Sequence, residues 1–303
     1  MVFRYQIFCL LLFLGLIAPV SVVMAAEENG KSEFTDELGD KLHLRLPVER
    51  IISLSPETTE MACAVGCCEK LVGVSQYSNY PPSVSDLPKI GSYVKLDLEK
   101  IVSLKPDLVL ATARGNPKAA VDRLRQLGLS VFVIFPKGIE GAAGSIANIG
   151  NVCGKPQEGA SLKAKFEQES KRHKKAKSDS SPRVLMLLNP EPPIACSPDT
   201  LGGRLIEWVG GNNIIEDSKI RYPTISLEWI LEQDPDYIFL MQMGAQQGRD
   251  VADYWKKFPD LKAVKNGRVF RLDPDLVSRS GMRLLEVMER MSGFMSTSGE
   301  AAK

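Results

Sequence analysis

Leu98-Glu99-Lys100-Ile101-Val102-Ser103-Leu104-Lys105-Pro106-Asp107-Leu108-Val109-Leu110 reads as a short helix, a stop forced by proline, and a buried strand. The residue before a proline is pushed away from the helical region, so the chain turns at Lys105. The same phrase returns as Leu227-Glu228-Trp229-Ile230-Leu231-Glu232-Gln233-Asp234-Pro235-Asp236-Tyr237-Ile238-Phe239. Leu, Glu, Ile, Pro and Asp recur at identical offsets; Glu99 and Glu228 lie 129 residues apart, each seven before its Pro-Asp. A second echo links Ser55-Pro56-Glu57-Thr58 to Ser197-Pro198-Asp199-Thr200, each expected to open a helix that ends at glycine. Ser as N-cap with Pro at the first helical position is a strong start signal. The chain therefore carries an internal duplication of a βα unit.

Between the halves, residues 157–177 have one apolar face, acids early and lysines late, the order that the helix dipole favours. Helical throughout, this segment would run roughly 30 Å at ~1.5 Å per residue. A helix of that length is a stiff spacer, whereas a Gly/Ser linker would let the halves wander. His173 and the lysines around it read as its solvated face. Ahead of the first repeat, Arg50-Ile51-Ile52-Ser53-Leu54 is a buried strand, preceded by a hairpin turning at Glu37-Leu38-Gly39-Asp40.

At the N-terminus, Arg4 is the only charge before Glu27, and Ile7 to Ala18 is apolar apart from Gly15. Val23-Met24-Ala25 offers small residues at −3 and −1, so residues 1–25 read as a cleaved secretory leader, with an uncleaved anchor as the alternative. The expected organisation is leader 1–25, N-terminal lobe 26–154, backbone helix 155–180 and C-terminal lobe 181–303. Residues from Ser296 onward look like a polar tail.

The 303 residues hold 38 Lys plus Arg against 37 Asp plus Glu, which leaves no basic surplus for nucleic acid. Only two histidines are present, His43 and His173, too few for a His-based metal or acid–base centre. Past the leader lie Cys63, Cys67, Cys68, Cys153 and Cys196. An oxidising compartment favours disulfides, the odd count leaves at least one thiol, and the pairing stays open. Glu57 and Glu60, three apart on one helix, are a carboxylate pair able to do acid–base work. No nucleophile elbow, zinc motif or phosphate-binding loop accompanies them, so the chain reads as no enzyme.

Ser53-Leu54-Ser55-Pro56 with Thr59-Glu60, Tyr77-Ser78 with Tyr80-Pro81-Pro82, and Leu98-Glu99 through Leu110 form one part of a wider pattern. Gly115-Asn116 and Gly210-Gly211-Asn212-Asn213-Ile214-Ile215 with Asp217-Ser218 complete it. The whole mature chain resembles the periplasmic substrate-binding proteins that feed ABC importers of cobalamin, iron–siderophores and haem, its cobalamin-binding members above all. The resemblance implies an α/β fold of two Rossmann-like lobes joined by one long rigid backbone helix, with a ligand cleft between the lobes. Binding would shift such lobes little.

The resemblance further implies a periplasmic, monomeric carrier with a metal chelate as its ligand. A cobalt corrinoid comes first, and a ferric siderophore or haem is the alternative. Its partner would be a membrane permease dimer with a cytoplasmic ATPase; a sensor or adhesion module is the non-transport alternative. Glu99 and Glu228 match the family's permease-docking glutamates. Tyr77, Tyr93, Thr112 and Tyr222 match ligand-wall positions, with Tyr93, Thr112 and Tyr222 standing where cobalamin binders carry tryptophan. Arg114, Arg221 and Arg279 lie near the same loops and suit carboxylate, phosphate or catecholate groups. Trp208 and Trp229 read as core.

Overall fold

The computed structural model describes residues 30–216, 218–241 and 254–296. The leader, 1–25, and the tail beyond Ser296 lie outside the described residues. The hairpin comes first: β1 (Ser32–Thr35) and β2 (Lys41–Leu44) are antiparallel around the expected turn. Asp36 Oδ1 accepts the Leu38 and Asp40 amides at 2.9 Å, and Arg125 holds its other oxygen at 2.7 Å.

The N-terminal lobe is a parallel sheet of β3 (Ile51–Ser53), β4 (Leu71–Val74), β5 (Leu108–Thr112) and β6 (Val131–Ile134), in the order β4-β3-β5-β6. Its helices are α1 (Pro56–Ala64), α2 (Leu98–Ser103), α3 (Lys118–Gln126) and α4 (Gly138–Val152). In the C-terminal lobe β7 (Arg183–Pro190) is central, with parallel neighbours β9 (Asn212–Asn213) on one side and β10 (Tyr237–Leu240), then β11 (Val269–Arg271), on the other. β8 (Pro193–Ala195) turns back antiparallel along β7. The order β9-β7-β10-β11 thus repeats β4-β3-β5-β6, so the duplication read from the two Pro-Asp phrases holds at the level of the sheet.

The repeat is held the same way in both lobes. Lys105 and Asp234, at equivalent offsets, both take the left-handed conformation, with φ of 48° and 43°. A non-glycine residue pays about 1–2 kcal/mol for this. The contacts that follow offset it. Asp107 Oδ2 accepts the Glu49 and Arg50 amides, and the Arg50 guanidinium donates to the Leu104 and Lys105 carbonyls. Asp236 accepts the Arg183 amide, while Arg183 donates to the Gln233 carbonyl.

The second echo holds less well. Ser55 caps α1 as expected, but α6 (Leu201–Trp208) begins three residues late, capped by Thr200 and not by Ser197. The Ser197 carbonyl accepts both the Thr200 amide and its hydroxyl, which closes a turn before the helix can start. Among the described residues, the later α-helices of this lobe are α7 (Leu227–Gln233), α8 (Lys262–Lys265), α9 (Pro274–Ser278) and α10 (Leu284–Ser296).

The spacer helix is α5 (Pro156–His173), which ends four residues short of the expected 177. Lys174 is extended because the second lobe captures the chain: the Lys175 amide donates to the Trp208 carbonyl, and Trp208 Nε1 donates to Ser170 O. At its other end α5 lies against α4 at a glycine crossing, where a Cβ on Gly159 would stand 3.0 Å from Gly150 Cα. Phe166 is buried midway, and α10 packs on the same helix. Trp208 is core as expected; Trp229 is partly buried on the second-lobe cluster. Cys63 and Cys68 form a disulfide, and Cys67, Cys153 and Cys196 are buried thiols.

Candidate functional site

In an open parallel sheet the ligand crevice lies beyond the carboxyl ends of the strands, where the strand order reverses. In the first lobe that point falls between β3 and β5. Below it is a dry hydroxyl network: Ser53 Oγ to Thr58 Oγ1 at 2.7 Å, Thr59 Oγ1 to Ser78 Oγ at 2.9 Å, and Ser75 to Ser78 at 2.9 Å. This network fixes the loop that presents Tyr77, which is 51% exposed. Tyr77 meets Tyr93 edge to face, with ring centroids 6.0 Å apart.

Tyr93 lies across Gly115, where any Cβ would come within 2.8 Å of its ring, so the position demands glycine. Asn116 ties the loops together. Its amide donates to the Tyr93 carbonyl at 2.8 Å and to the Leu54 carbonyl at 3.1 Å, and its Oδ1 accepts the Thr112 amide at 2.8 Å. Asn116→Ala strips partners from these groups, so urea unfolding is expected to show a loss of about 1–3 kcal/mol. An unchanged midpoint would refute this role.

Thr112, expected on the ligand wall, is 3% exposed and faces inward: its hydroxyl accepts the Arg114 amide at 3.3 Å and pulls the pKa of the neighbouring Glu57 downward. Arg114 is half-buried, with its guanidinium donating twice to the Pro136 carbonyl and its Cζ 5.7 Å from the Phe135 ring. Burial and the like charges of Arg221 and Arg204 depress its pKa. Across the cleft, Tyr222 is exposed, with Arg221 5.8 Å from its ring. Partial desolvation of the phenol among its neighbours raises the Tyr222 pKa. Arg204 stands against Gly138 at the start of α4. Arg114, Arg204 and Arg221 thus bring positive charge from both lobes to one region, and Arg204 was not anticipated from the sequence.

Arg279 has a different role from the one expected. Its side chain is 8% exposed and its charge is committed within the protein. It pairs with Glu60 at 2.7 Å and Asp275 at 2.7 Å, and donates to Asn79 Oδ1 at 2.8 Å and to the Tyr77 carbonyl at 3.3 Å. Arg283 joins Glu60 at 3.1 Å, with its Cζ 4.1 Å from the Tyr80 ring. Asn79 in turn donates to Asp275. Beside them Glu57 accepts the Ser280 amide at 3.3 Å. Burial pushes Glu57 up against the pull of Thr112 and Ser280, and pushes Glu60 up against Arg279 and Arg283. The carboxylate pair seen in the sequence is therefore a strut between lobes.

Glu99 and Glu228 sit in the first turns of α2 and α7, capped by Asp97 and Ser226, and both are exposed. The backbone amide of Glu228 and the Ser226 hydroxyl hold that carboxyl below its usual range. The two glutamates occupy equivalent positions, one on each lobe.

The periplasmic binding protein family model matches residues 51–276. The vitamin B12-binding protein of Vibrio cholerae serotype O1 is 32% identical over 251 residues, covering 82% of this chain and 90% of the relative. The crystal structure of the periplasmic vitamin B12-binding protein BtuF of Vibrio cholerae superposes with a TM-score of 0.73 at 31% identity, covering 82% of this chain and 97% of that one. The haem-binding protein RhuT of Roseiflexus sp. RS-1, in apo form, gives 0.72 at 25% identity, covering 83% and 99%.

Proposed function

Because the chain belongs to the periplasmic binding protein family, we propose that it captures a cobalamin-type corrinoid between its lobes and delivers it to an ABC permease. What supports this reading is three exposed tyrosines, Tyr77 and Tyr93 edge to face in the first lobe and Tyr222 in the second, in a chain so similar to a vitamin B12-binding protein. A flat aromatic face suits a flat macrocycle, since dispersion replaces water contact over the ring. The leader is removed, the mature protein is a periplasmic monomer, and Glu99 and Glu228 meet basic groups on the two halves of a permease dimer driven by its ATPase.

A second reading has its own support. Three arginines converging from both lobes favour an anionic chelate, a ferric siderophore or haem, through charge-assisted hydrogen bonds. Titrating the mature protein with cyanocobalamin, a corrinoid precursor, two ferric siderophores and haemin, followed by intrinsic fluorescence, separates the two. Corrinoids are expected to quench at sub-micromolar concentration. Quenching by haemin or a siderophore alone would transfer the assignment to the arginines.

A further inference from the structure

Four of the five cysteines past the leader gather at one place. Cys63 and Cys68 are bonded at the end of α1, and Cys67 lies between them in sequence. Cys153 is the C-cap of α4. Cys67 and Cys153 are both buried within the N-lobe core. Cys67 Sγ also stands 3.7 Å from the Cys153 carbonyl. Cys196 is apart from them in the other lobe, with its sulfur 3.9 Å from Met241 Sδ. Burial pushes its thiol up to about 12, so it is inert.

We propose that Cys67 and Cys153 close a second disulfide, stapling the end of α1 to the end of α4, and that Cys196 is the single thiol left. This rests on the reading that the chain is exported to an oxidising compartment, where juxtaposed thiols pair. The two thiols lose two protons and two electrons to the disulfide of a thiol–disulfide oxidant, which leaves as two thiols. Both sulfurs are buried in the finished fold, so the bond closes during folding, while the oxidant still reaches them. The staple spans 86 residues of chain. It joins the helix that carries Glu57 and Glu60 to α4, the helix against which α5 packs.

The test uses the full chain, expressed with its own leader, recovered from the periplasm and denatured without reductant. One titratable thiol is expected. Because Pro156 blocks cleavage after Lys155, trypsin should release 51–70 joined to 138–163, four hydrogens lighter than the reduced pair and separated only by reductant. Three thiols, with 51–70 two hydrogens light and unlinked, would overturn the proposal. The Cys67→Ser variant is expected to show two thiols and no link; a link that survives there would assign Cys153 to another partner and overturn it equally. Five thiols would mean that the exported chain met no effective oxidant, because Cys63–Cys68 would then be open too. Refolding the same chain in a glutathione redox buffer then decides: a linked product supports the pairing, and an unlinked one overturns it.

Discussion

Replacing Glu99 and Glu228 together by alanine is expected to abolish transport while ligand affinity and the melting temperature stay unchanged. Each carboxylate is exposed in the free protein, in the first turn of a short capped helix, and the repeat gives one to each lobe. Neither buries anything, so removing them leaves the fold and the cleft alone. At an interface the balance differs. A carboxylate that meets an arginine is desolvated together with it, and truncating one side leaves the other charge buried and alone. Such losses act on the dissociation rate, so two of them should cut uptake by roughly a hundredfold or more. Each single variant is expected to fall between the double variant and wild type, because the pairs lie on different lobes and act independently. Wild-type uptake by a folded double variant would remove the docking role and favour a sensor or adhesion module.

Glu60→Ala is expected to give the largest loss of stability of any single change in the cleft. Glu60 accepts from Arg279 and Arg283 across the lobes, and its side chain and that of Arg279 are 6% and 8% exposed. Removing the carboxylate leaves guanidinium charge in a nearly dry place, which costs about 3–5 kcal/mol. For a chain of this size that lowers the melting temperature by on the order of 10 °C. Glu60→Gln keeps the shape and one acceptor, and should lose less. The effect extends to the ligand wall, since Arg279 also holds the Tyr77 carbonyl and Asn79. A loss below about 1 kcal/mol, the range of an exposed ion pair, would mean that the strut contributes little.

The parts of the fold written in local chemistry were legible. Pro106 and Pro235 force a turn wherever they occur, and both turns are present with their left-handed residues. Ser55 followed by Pro56 starts α1 as a cap should. Where a second element decided the outcome, the sequence was silent. α5 stops at His173 because Trp208 draws the chain away, although the periodicity of 174–177 continues the helical pattern. Ser197 looks like Ser55, yet its carbonyl closes a turn with Thr200.

The site divides along the same line. The tyrosines and the two glutamates lie on loops and first turns, and their exposure follows from that position. Thr112 ends a strand buried on both faces, so alternation gives no side to it, and it turned out to face Glu57. Arg279 finds Glu60 219 residues away, and no spacing rule reaches that far. Glu57 and Glu60 drew notice as a pair three apart, and a partner for each in the opposite lobe was what the pattern lacked.

Calorimetric titration of the mature protein with cyanocobalamin, repeated on Tyr77→Ala and Tyr222→Ala, tests a corrinoid held by both lobes most directly. Burying an aromatic ring against a ligand is worth about 1.5–3 kcal/mol, so each variant should bind tenfold or more weakly, at the same one-to-one stoichiometry as wild type. Wild type that gives no heat with cyanocobalamin, or variants that bind as wild type does, would contradict a corrinoid between these lobes.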